Sequence, residues 1–139
     1  MLRALVLIAM PGLAACSAEP APLVTVSEAR VIALPTSAAA YFTLANNGGR
    51  DRLLSVGTEG IGRASLHETS MDDAMMRMRS LDDGIEIPAR GQVRLTSNGK
   101  HVMIQDLVRP LAAGSTIRLT LRFERQGPVE IAAPVGNPR

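Results

Sequence analysis

An all-β, single-domain sandwich of antiparallel strands is the fold class this chain predicts, and three observations predict it. Short segments rich in Val, Ile, Leu and Thr recur along residues 24–135, separated by Gly, Asn, Asp and Pro. Several of these segments alternate apolar and polar residues, as a strand with one covered face does. No segment sustains a helical period over three turns. The length of 139 residues suits one core. Aromatic residues make up 2% of a chain that is 46% hydrophobic, so that core must be aliphatic.

The elements follow in order. "LVTVSEARVIAL" is rich in Val and Ile with partial alternation, and "SAAAYFTLANNGG" places a strand on Ala39–Ala45 with a turn over Asn46–Gly49. "DRLLSVGT" and "RASLHET" are further strands. "AMMRMRSL" sets Met76 and Met78 against Arg77 and Arg79, the period of a half-buried strand. "GQVRLTSNG" alternates and ends on Asn98-Gly99, a hairpin signal leading to "KHVMIQDL". "STIRLTLRFER" alternates most cleanly, with Ile117, Leu119, Leu121 and Phe123 on one face. "GPVEIAAPV" closes the domain, and residues 134–139, "PVGNPR", look like a frayed end. Eight or nine short strands of this kind call for Greek-key connections.

The first residues carry a different message. Arg3, the apolar run Ala4–Met10 and the small residues after it form a secretory signal too short to span a bilayer stably. Leu13-Ala14-Ala15-Cys16 resembles the bacterial lipobox, in which the cysteine is lipidated and becomes the first mature residue. Cys16 is the only cysteine, so no intramolecular disulfide can form. The plainer alternative, an ordinary signal cleaved near Ala15, leaves an unpaired thiol exposed in an oxidising compartment. The organisation expected is a lipoprotein signal at 1–15, a lipid-anchored tether at 16–23 and a folded domain at 24–135. Ser17, by the same resemblance, favours the outer membrane of the periplasm.

The formal charge is +2 including Arg3, so the exported chain is close to neutral. With no basic block and no aromatic platforms, nucleic-acid binding is not expected. Nor is an enzyme: no Ser/His/Asp or Cys/His assembly offers a nucleophile.

What stands out is a cluster of soft ligands. Both histidines and five of the seven methionines lie within residues 67–103: His67, Met71, Met75, Met76, Met78, His101 and Met103. His101 and Met103 are two apart, so on a strand both side chains leave one face. His67, and Met78 or its neighbours, come from separate strands that a fold can bring alongside. Imidazole with thioether favours Cu(I) over hard cations and zinc, and it survives where an exposed thiolate would oxidise. The absence of a cysteine from the domain excludes a blue-copper electron-transfer site. Core packing is the competing use of methionine. Met76 and Met78 share a face, so spacing does not choose between them, and Met71 lies near His67. Glu68, beside His67, is either a partner to that imidazole or an ordinary exposed acid.

These residues carry a family resemblance. "LHETSMDDAMMRMRSL" through "NGKHVMIQDL" and the final strands resemble the periplasmic copper chaperones written PCu(A)C, whose pattern is His, ten residues, Met, twenty-one residues, His-x-Met. Here ten residues separate His67 from Met78 and twenty-two separate Met78 from His101. The extra residue falls in the turn around Asp82–Gly84. The resemblance implies a cupredoxin-like sandwich binding one Cu(I) through His67, Met78, His101 and Met103. It also implies delivery of copper to an acceptor, such as the dinuclear copper centre of cytochrome oxidase or another copper chaperone. The His- and Met-rich C-terminal tail of some members has no counterpart in "AAPVGNPR", so one copper site is expected. Passive copper storage or detoxification would use the same site. An adaptor lipoprotein would instead bury Met78 and Met103 and hold the two histidines apart.

Overall fold

The computed structural model describes residues 18–138. Ten strands account for its regular structure: β1 (Val24–Ala33), β2 (Ala38–Asn46), β3 (Asp51–Gly57), β4 (Arg63–Asp72), β5 (Met75–Ser80), β6 (Ile85–Ile87), β7 (Gln92–Arg94), β8 (Lys100–Gln105), β9 (Thr116–Phe123) and β10 (Val129–Gly136). Among the described residues there is no helix. The strands pair in the order β5-β4-β8-β2-β1-β10-β9-β3-β6, with β7 also on β2. This continuous ladder folds into two layers, β10-β9-β3-β6 lying against the rest. Only β1–β2, β4–β5 and β9–β10 pair directly with their neighbours in the chain. Most other connections cross between layers, which is the Greek-key sandwich expected.

The core is aliphatic, as the composition requires. Leu53, Ile85, Ile87, Leu119 and Leu121 from one layer face Phe42, Leu44, Leu66, Val102 and Ile104 from the other, all fully or nearly buried. The clean alternation of β9 is realised, with Ile117, Leu119, Leu121 and Phe123 inward.

Four details differ from the pattern in the sequence. The strands number ten, because "IEI" forms β6 against β3. One pair is parallel: Val31 and Ile32 of β1 lie beside Val135 and Gly136 of β10. Residues 134–136 are therefore strand and not a frayed end, held because Val135 is buried. Asn98-Gly99 does not close a hairpin between β7 and β8. Both strands pair antiparallel with β2, β7 at Thr43–Ala45 and β8 at Ala38–Ala40. The chain leaves β2 after Leu95, whose N–H donates to the Phe42 carbonyl, and makes a turn closed by Gly99 N–H on the Thr96 carbonyl. It returns as β8.

The signal and Cys16 lie outside the described residues. The end of the expected tether does not trail free. The backbone carbonyls of Ala21 and Leu23 accept hydrogen bonds from Gly49 and Asn47, and Arg125 donates to Pro20 O at 3.1 Å. Gly48 and Gly49 are required by this close approach, since a Cβ on either would collide with the carbonyl of Ala21 or Pro20. Asn46, buried at the centre of the junction, meets four backbone groups: its Oδ1 accepts from Leu23 and Gly48 N–H, and its Nδ2 donates to Gly49 and Pro88 O.

Candidate metal centre

Register builds the site. Residues directly opposite in an antiparallel ladder share a face, and so do residues two apart on one strand. Leu66 pairs with Val102 and Ala64 with Ile104, all turned toward the interior. The next residues therefore point outward: His67 opposite His101, and Ser65 opposite Met103. On the other side of β4, Thr69 lies opposite Met78 and Met71 opposite Met76. His67, Met78, His101 and Met103 thus occupy one outer face of three adjacent strands. Met71 and Met76 continue the same face toward the hairpin tip.

The two imidazoles are stacked, with centroids 6.1 Å apart and planes at 23°. His101 is 4% exposed and Met78 54%. His67 and Met103 are half-buried. The adaptor signature of sealed sulfurs and distant histidines is therefore not what the fold presents. Among the described residues no three His, Cys, Asp or Glu side chains converge on a metal position. The donors gathered on this face are two imidazoles and two thioethers, a set that favours Cu(I) over zinc or a hard cation.

The turn between β7 and β8 fixes the orientation of His101. Its Nδ1 lies 3.0 Å from the Gly99 carbonyl. A carbonyl only accepts, so in the neutral ring Nδ1 carries the proton and Nε2 keeps its lone pair for a metal. The same carbonyl accepts the backbone N–H of Thr69 at 3.0 Å, so one oxygen ties the ring of β8 to the backbone of β4. On the other side Tyr41 of β2 stands against His101, with ring centroids 6.4 Å apart. The Arg30 guanidinium sits 5.1 Å over the tyrosine ring. Burial pushes the Tyr41 hydroxyl up, partly offset by the Arg30 charge, so it remains a neutral phenol. Ser65 Oγ, 3.4 Å from His67 Nδ1, is the polar neighbour of the second imidazole.

The sequence pattern does not single out Tyr41 or Ser65, and it marks Gly99 only as a turn residue. The usable signals were slight: Tyr41 is the only tyrosine, and Ser65 is two residues from His67.

One expectation is corrected, and one open alternative, at Glu68, is decided. β5 is not half-buried, because all six of its residues are exposed. It is the outermost strand, and the β4–β5 hairpin runs past the rim of the opposing layer. Met76 and Met78 lie on the outer face, while Met75, opposite Asp72, lies with Arg77 and Arg79 on the inner face beyond the end of the core. Glu68 does not support His67. It points the opposite way, pairing with Arg79 at 2.6 Å and Lys100 at 3.5 Å. The hydrogen bond from Arg79 is the main reason its carboxyl lies below the usual range, with the Lys100 and Arg79 charges adding to it and desolvation opposing.

Comparison with known proteins fits this geometry. The family model described as "LpqE-like: Putative lipoprotein LpqE-like" matches residues 24–135. The chain belongs to the LpqE-like family. A curated relative of this LpqE-like chain, "Putative lipoprotein Lxx21020" of Leifsonia xyli subsp. xyli (strain CTCB07), is 33% identical over 128 residues, 91% of this chain and 77% of its own. Among solved structures, the copper-bound PCuAC domain from PmoF2 superposes with a TM-score of 0.68 at 25% identity, covering 83% of this chain and 93% of that one. The solution structure of CuI-DR1885 from Deinococcus radiodurans gives a TM-score of 0.61 at 31% identity, covering 89% and 83%. The LpqE-like fold here is that of the PCuAC domains, and the resemblance read from the sequence is borne out.

Proposed function

We propose that this chain is a Cu(I) carrier of the periplasm, exported by the signal at 1–15, tethered through a lipid on Cys16 and folded over 24–135. His67, Met78, His101 and Met103 hold the metal. The observation that carries this reading is the pairing of His67 with His101 across β4 and β8, which sets two imidazoles on one face beside Met103 and Met78. The solved neighbours add weight, because two of them are described with copper bound, and the curated relative is named a lipoprotein.

The chemistry follows from the donor set. Two imidazoles and two thioethers are neutral ligands, so the site holds a monovalent soft cation without adding a negative charge that would bind hard divalent ions. His101 is pre-oriented by Gly99, which lowers the cost of assembling the site. Met78 stands exposed at the outer edge, where an acceptor's ligand can replace it before the histidines let go. Copper therefore leaves by ligand exchange and is never released free. The acceptor in this reading is a periplasmic copper protein such as the dinuclear centre of cytochrome oxidase, or a second chaperone. The function is carriage, with no substrate transformed.

Competition against a Cu(I) chelator tests the site. The wild-type chain is expected to take one tightly held copper, and His101→Ala or Met103→Ala to weaken it by roughly 100-fold. Binding indifferent to both substitutions would sink the assignment. Transfer to an apo acceptor separates carriage from storage: a store would hold its copper when the acceptor is added.

A further inference from the structure

The β4–β5 hairpin carries more sulfur than this one site uses. Met71 and Met76 lie directly opposite each other, on the same face as Met78 and His67, and are 67% and 69% exposed. Packing does not explain them, because nothing among the described residues covers them. The other face of the same hairpin is occupied by ion pairs, Arg79 with Glu68 and Arg77 with Asp72. The hairpin is thus two-faced, with these ion pairs and Met75 on one side and Met71, Met76 and Met78 together on the other, all four methionines exposed. The tip that presents this face is a two-residue turn in which Asp73 and Ala74 both have positive φ, 47° and 63°. That conformation matches the twist of a tight hairpin and fixes the register that sets Met71 against Met76.

The geometry points to a second soft-metal station formed by Met71 and Met76, with Met78 as a ligand shared between it and the His67–His101 site. Directly opposed residues on one face have Cβ atoms about 5 Å apart, so two flexible thioether arms can close on one ion. Successive positions on a face are about 7 Å apart along a strand. Met78 therefore stands one step from the Met71–Met76 pair and one step from the His67 level. A d10 monovalent ion, Cu(I) or Ag(I), tolerates a set of two or three thioethers, whereas a divalent hard ion does not.

The station binds more weakly than the histidine site because it lacks imidazole, and so it works as the loading and unloading stage. Movement inward needs no redox step: the ion stays monovalent, and each metal–sulfur bond released at Met71 or Met76 is replaced by a metal–nitrogen bond at His67 or His101. The direction of this traffic rests on the carrier reading above; the station itself does not.

Both are tested in one titration. The full chain, carrying Cys16→Ser so that no thiol competes and labelled with 13C at the methionine methyls, is titrated with Cu(I) without oxygen. The first equivalent is expected to shift Met78 and Met103. A second, weaker by roughly tenfold or more, is expected to shift Met71 and Met76. Met71→Leu with Met76→Leu keeps the apolar surface and removes only the sulfurs; it should abolish the second equivalent and leave the first. His101→Ala should weaken the first and leave the Met71 and Met76 shifts in place. A single equivalent in the wild-type chain, or a second that survives the double leucine variant, overturns the station while leaving the carrier reading intact. Loss of the first equivalent with the Met71 and Met76 response preserved does the reverse.

Discussion

β9 and β5 have nearly the same pattern and opposite fates. "TIRLTLRF" and "MMRMRS" both alternate apolar residues with arginine. In β9 the apolar side chains turn inward and are buried, because β10 and β3 flank the strand and a second layer lies beneath it. In β5 Met76 and Met78 turn outward and stay exposed, while Met75 and the arginines occupy the inner side of a hairpin that has run past the core. Alternation therefore identifies a face and not what covers it. Where the opposing layer ends, the inner face of β4 becomes polar at Glu68, and the outer face is free for soft ligands.

The contrast is sharpest for truncation. Leu121→Ala in β9 should cost about 2–5 kcal/mol in denaturant unfolding, since it opens a cavity in a closed core. Met76→Ala in β5 should stay within about 0.5 kcal/mol. A comparable cost at both positions would mean that the hairpin is covered in solution. The next effect is on copper: His101→Ala should weaken Cu(I) binding by roughly 100-fold, near 2.7 kcal/mol, read by chelator competition. Met78→Leu is the more telling change, because it preserves the apolar side chain. It should weaken Cu(I) binding by roughly tenfold while moving the unfolding midpoint hardly at all. The reverse outcome would return Met78 to a packing role.

The smallest effect concerns the polar side of the hairpin. Glu68 has a depressed pKa in the folded chain, chiefly through the hydrogen bond from Arg79. Its contribution to stability is thus fully present above the ordinary carboxylate value of 4.5, and it is lost as the pH falls through the lowered folded value. A near-surface pair of this kind contributes about 0.2–1 kcal/mol. Glu68→Gln should remove that acid limb of the stability profile and leave copper binding unchanged. A shift in copper affinity would place Glu68 nearer His67 than the strand alternation allows.

Much of this was legible along the chain. The inward set of β9 and the shared face of His101 and Met103 follow from a period of two, which is a local property. The turn at Asn46–Gly49 followed from residue types. The parallel seam of β1 and β10 left no local trace, because it depends on residues about a hundred positions apart. The return of β8 to β2 was hidden by Asn98-Gly99, whose residue types suit a tight hairpin but here close a turn inside an interrupted strand.

By itself the sequence determined an aliphatic β domain and a set of soft donor side chains confined to one stretch, because composition and alternation are written residue by residue. The tertiary structure alone decided that His67 stands opposite His101, that Gly99 orients one ring while Tyr41 walls it, and that Met76 and Met78 of β5 face outward. Those facts depend on register between distant strands, and register is set by how the whole core closes.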